Sequence, residues 1–168
     1  FGHVAKGAAG HELHLDGLIQ YGQLLLDRGE YREAAFQFRR ASETKGEYEK
    51  RARAATLLAM ALLMQEKYTE AGEAILAKRT LFEAPSVRNA AALVTSLARW
   101  KAISPMDRER EAPFLYRSLV AVKADAEAGP DWFGKTGQLL VGRVYAEMGL
   151  NEQMVEHYAH LLAGGVSE

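Results

Sequence analysis

The chain has 168 residues, with 21 basic and 22 acidic side chains for a net charge of −1, 48% hydrophobic residues and no cysteine. Its 28 Ala and 21 Leu far outnumber its 3 Ile, 9 Val and 6 Thr, which points to helices and away from a mainly β protein. The missing cysteines exclude thiolate catalysis, iron–sulfur clusters and disulfide frameworks, the balanced charge argues against a dedicated nucleic-acid binder, and no apolar run approaches the roughly 20 residues of a membrane span.

Residues 1–10 (FGHVAKGAAG) begin at Phe1 rather than Met and read as a small-residue linker or expression remnant. Residues 11–168 read as one helical repeat domain with units near 15–48, 52–84, 86–128 and 131–163. In the first unit, Gly29 ends a helix where a positive φ is wanted, and Tyr31 opens the next. The second contains Ala54 to Met64 (AATLLAMALLM), eleven residues without a charge, so that helix must be covered on all sides. In the third, Ser86 is a candidate cap for a helix to about Ile103, and Asp107 for a second helix. Pro113 requires that second helix to start near Ala112 or to kink. In the fourth, Asp131 is expected to cap a helix that ends at Gly149. Eight helices in four hairpins result.

Three stretches align. YGQLLLDRGEYREAAFQFRRA at 21–41 and LAMALLMQEKYTEAGEAILAK at 58–78 match at an offset of 37, with Leu25 on Leu62, Tyr31 on Tyr68, Glu33 on Glu70 and Ala34 on Ala71. VGRVYAEMGLNEQMVEHYAHL at 141–161 places Gly142 on Gly22, Tyr145 on Leu25, Gly149 on Gly29 and Tyr158 on Phe38. Small residues (Gly22, Ala59, Gly142) let two helices approach, and larger ones (Phe38, Ile75, Tyr158) fill the space between units. One such hairpin cannot bury its own apolar face and needs neighbours.

This pattern resembles the tetratricopeptide repeat family. The first copy carries it best, through Leu18, Tyr21, Gly22, Leu25, Gly29, Tyr31, Ala34, Phe38 and Ala41; in the second, Lys78 replaces the last small residue, and in the third Met154 replaces the key alanine. The resemblance implies an all-α, right-handed α-solenoid of helix-turn-helix hairpins, acting as a protein-interaction scaffold without catalytic activity or cofactor. It implies that a partner peptide or helix lies in the inner groove against Asp16, Ile19, Gln23, Leu26 and Asp27 of the first copy. From the second copy it adds Arg53, Thr56, Met60, Leu63 and Met64, and from the last Leu139, Arg143 and Glu147. Met60 and Met64 are either core filler or adaptable lining for an apolar partner. The family's lysine and asparagine clamp for an acidic chaperone terminus is missing, since Ile19, Gln23, Thr56 and Met60 stand there. At the far end, Val155, Tyr158 and Leu162 want a cover, from a further repeat or from self-association.

Other chemistry reads weakly. Gly129-Pro130-Asp131-Trp132-Phe133-Gly134-Lys135-Thr136 matches the phosphate-loop pattern, but a helical, polar stretch precedes it where a strand is required, and Trp132 and Phe133 would crowd the ligand. His11 with His14, and His157 with His160, could each share a helix face; solvated surface histidines are the simpler account. The eight basic residues from Arg28 to Arg53 interleave with five acids, as on a salt-bridged outer face. A helical-repeat RNA binder and a nucleotide-binding enzyme built on Gly129 to Thr136 are the two rival functions. The compartment, cytoplasmic or periplasmic, stays open.

Overall fold

The computed structural model describes residues 8–126 and 131–166, among which there is no β-strand. The described helices are α1 (Ala8–Asp27), α2 (Tyr31–Glu43), α3 (Tyr48–Met64), α4 (Tyr68–Leu76), α5 (Pro85–Ala102), α6 (Arg108–Ala126), α7 (Gly134–Glu147) and α8 (Asn151–Val166), with 3-10 turns at Arg79–Leu81 and Asp131–Phe133. The all-α class and the eight helices are those the sequence predicts. Neighbours in sequence are neighbours in space through α6, and the first helices of successive hairpins also meet, α1 on α3 and α3 on α5. Such packing is compatible with stacked hairpins.

The three aligned copies build the same turn. Gly29 and Glu30 donate to the carbonyls of Leu26 and Leu25 at 3.0 and 2.9 Å, and Gly149 and Leu150 repeat this on Ala146 and Tyr145 at 3.0 and 2.9 Å. Glu66 and Lys67 do so on Leu63 and Leu62, at 3.0 Å each. These paired bonds satisfy the last carbonyls of each first helix and need a left-handed residue. Gly29 and Gly149 supply it at φ 77° and 71°, but Glu66 takes it at φ 62°, a conformation that costs a residue with a Cβ about 1 kcal/mol.

Helix contacts repeat in the same way. A Cβ on Gly22 would stand 2.6 Å from the ring of Phe38, and one on Gly142 would collide with the ring of Tyr158. The first and third copies therefore share the close approach that their alignment demands, a small residue of one helix against a large one of the next. Phe38, Leu57, Met60 and Leu63 are fully enclosed. Each such side chain contributes about 1.5–3 kcal/mol relative to exposure. The uncharged stretch of α3, Ala54 to Met64, is buried at every position except Met64.

Boundaries differ in four places. The first helix begins at Ala8, inside the segment expected to be a linker, while residues 1–7 fall outside the described residues. Pro85 occupies the first turn of α5 behind Ala84, so Ser86 lies within the helix rather than capping it; a proline's fixed φ suits that position. α6 starts at Arg108 directly after Asp107, and Pro113 lies inside it rather than in its first turn. Asp131 does not cap α7: it opens a 3-10 turn, and Phe133 stands at the cap position.

Candidate interaction surface

The inner face expected to hold a partner is built from α1, α3 and α7. On α1, Asp16 pairs with Lys50 of α3 at 3.1 Å, and Glu12 accepts from the same ammonium at 3.2 Å. These two hydrogen-bonded carboxylates, against a smaller desolvation effect, hold the Lys50 ammonium above its ordinary pKa. Ile19 is half-buried against the core and Asp27 is exposed. On α3, Thr56 donates to the Ala52 carbonyl at 3.0 Å and is fully buried. Leu26, Met60 and Leu63 are buried as well, so these four are core residues with no surface to offer a partner. Between the two roles open to the methionines, Met60 takes the core one; Met64 is half-buried.

The fourth hairpin folds back onto this face. The Gln23 side-chain amide donates to the Trp132 carbonyl at 2.7 Å across 109 residues. Arg53, paired with Glu49 at 3.1 Å, sets its guanidinium 6.0 Å from the centre of the Trp132 ring. Phe133 meets Trp132 edge to face at 5.2 Å and is only 1% exposed. It belongs to one buried cluster with Leu57, Met60, Leu63, Leu140 and Val144. At the other end of α7, Glu147 accepts from Lys101 at 2.9 Å and from the Trp100 indole at 3.2 Å. Burial would raise the Glu147 carboxyl, but these two donors outweigh it and hold it below the usual carboxylate value. Lys123 of α6 donates to the Tyr145 hydroxyl at 2.6 Å. The inner face is thus largely occupied from within. Of the residues expected to meet a partner, Leu139 is half exposed, Asp27 is exposed, and Asp16, Ile19, Arg143 and Met64 are partly accessible.

One histidine departs from its expected surface position. His157 is buried, shares a hydrogen bond of 2.9 Å with the Gln138 carbonyl, and lies between the rings of Tyr145 and Tyr158. Burial holds its imidazole below the ordinary value of 6.5, with the Lys123 and His160 charges adding to this and the Gln138 carbonyl opposing it. The folded state then binds fewer protons than the unfolded one below about pH 6.5, so stability present at neutral pH is lost as pH falls through that value. The urea midpoint is expected to drop between about pH 7.5 and 5.5, and His157→Gln should flatten the difference.

Among the described residues, no group of three or more His, Asp or Glu could hold a metal, and no helix is long and apolar enough to cross a membrane. The phosphate-loop look-alike follows a helix instead of a strand; its Thr136 hydroxyl-bearing side chain is buried, and Gly129 and Pro130 lie outside the described residues. At the ends of the array, Val155 and Leu162 are 62% and 72% exposed, while Tyr158 is half-buried against Gly142. Sequence reasoning missed a second open edge, Leu13, Tyr21 and Leu24 on α1. It also missed the Trp132–Phe133 anchor, whose signal was two large aromatic residues in what read as a turn between helices. No protein-family model, no curated protein and no solved structure matches this chain.

Proposed function

We propose that the chain is a protein-interaction scaffold of the tetratricopeptide type, with a partner segment docking where α1 and α7 meet. The observation that carries this reading is the threefold recurrence of one turn, together with one helix contact repeated in the first and third copies, which supports reading the hairpins as units of a single repeat. Stacked units of that kind offer a broad face of side chains in place of the convergent loops that catalysis needs. With Trp132 and Phe133 filling the middle of the inner face, the partner engages its margin. Ile19 and Leu139 supply apolar area there, and Asp16, Asp27 and Arg143 supply orientation.

Ile19→Glu with Leu139→Glu tests this. Leu139 is half exposed, and because Ile19 packs on the core, an unchanged circular dichroism spectrum of the double variant is required before its binding is read. Partners captured by the wild-type chain should be lost by this double variant and kept by Val155→Glu on α8. Capture that survives the double variant rejects the margin as the site. Salt-sensitive retention of RNA would replace this reading with the nucleic-acid one, and a thermal shift with ATP and magnesium would replace it with nucleotide binding.

A further inference from the structure

An apolar depression outside the inner face lies between α4 and α5, and its origin is local. In the second copy the second helix stops at Leu76 after nine residues, and the chain turns through Arg79–Leu81 instead of continuing. α5 runs on for eighteen residues and is left partly uncovered. The facing positions are small: Gly72 on α4, whose added Cβ would meet nothing within 4 Å, and Ala91 and Ala92 on α5. A groove of about 370 Å³ results, in the range of small-molecule sites.

Its two ends differ in charge. The antiparallel helices are joined by residues 77–84, so Arg79 and Arg88 both stand at the connection end, while Gly72 and Ser96 stand at the other. From Arg88 to Ser96 the helix rises about 12 Å. No acidic side chain lines the groove. Among the described residues Arg79 makes no side-chain hydrogen bond or ion pair, and Arg88 gives one bond, of 2.6 Å, to the Glu83 carbonyl. Two guanidinium groups are therefore uncompensated beside an apolar trough. The amino end of α5 opens there too and adds partial positive charge.

We propose that this groove binds a single-chain carboxylate amphiphile, its head between Arg79 and Arg88 and its alkyl tail along Ile75, Ala91 and Ala92 toward Gly72. A carboxylate matches the forked donors of arginine. An alkyl tail needs no polar partner, whereas a peptide would bring an amide at every residue to a wall that is almost wholly apolar. This site is separate from the inner face and stands whether or not the scaffold reading holds.

Three probes with the same tail separate the contributions: decanoate, decanol and decyltrimethylammonium, titrated below micelle formation and followed by amide chemical shifts. Decanoate is expected to saturate and to shift residues 72–96, with decanol at least tenfold weaker and the cation weaker still. Arg79→Ala with Arg88→Ala should abolish the preference for decanoate over decanol. Gly72→Leu places a Cβ where nothing lies within 4 Å and extends a side chain into the groove, so it should abolish binding of all three, with an unchanged amide spectrum elsewhere showing the fold intact. Equal affinities for decanoate and decanol, undiminished decanoate binding by Gly72→Leu, or no saturable binding by the wild type would each overturn the proposal.

Discussion

Phe133→Ala is expected to cost about 3–5 kcal/mol, as large-to-small changes at enclosed aromatic sites do. The ring is almost wholly removed from solvent and shares its cluster with Met60 and Leu63 of the second hairpin. Its loss would leave a cavity at the joint between the fourth hairpin and the inner face, where the remaining ties are the smaller apolar side chains Leu140 and Val144 and the polar bonds of Gln23 to the Trp132 carbonyl and of Glu147 to Lys101 and Trp100. Those bonds are partly exposed and are worth about 1 kcal/mol each. Amide exchange should therefore accelerate in α7 and α8 well before α1 to α6 lose protection. A midpoint lowered by less than about 1 kcal/mol, or uniform acceleration over all helices, would show that the fourth hairpin is not anchored there.

Gly22→Ala should be destabilising by about 1–3 kcal/mol, against the usual sign for a helix interior, where alanine is better than glycine by about 0.5–1 kcal/mol. The added methyl would stand 2.6 Å from one Phe38 ring atom and 2.8 Å from the next. Phe38 is fully enclosed and has no free space to retreat into. Adding Phe38→Leu should recover part of the loss, because the two substitutions share a contact and are not additive. A denaturant melt in which Gly22→Ala matches or exceeds the wild type would remove the close approach, and with it the helix contact on which the alignment of first and third copies depends.

Much of the fold was legible because apolar spacing reports which faces must be covered. Gly22 with Phe38, and Gly142 with Tyr158, carry their packing in residue size alone, and Gly29 and Gly149 announce their turns through a conformation glycine alone adopts cheaply. The matching turn at Glu66 was silent, since a glutamate there gives no sign of positive φ until its hydrogen bonds are seen. Family analogy placed Met60, Leu63 and Thr56 on an open groove. Periodicity says that a face is apolar without saying whether a partner or the chain itself covers it, and here the covering cluster includes Phe133, Leu140 and Val144. His157 was misjudged for a similar reason: its spacing from His160 suggests a wet helix face, and only the position of Gln138 and two tyrosines reveals its enclosure.

The return of α7 to α1 changes how the molecule can come apart. An open row of hairpins interacts only with its nearest neighbours, so it can fray from either end and propagate order from any point, like a one-dimensional lattice. The contact of α1 with α7, with Phe133 in the shared core and a bond spanning 109 residues, couples the two ends, so loosening of one disturbs the other. Closing so long a loop must wait until both ends are built, which slows the search for the native state and makes its loss more nearly all-or-none.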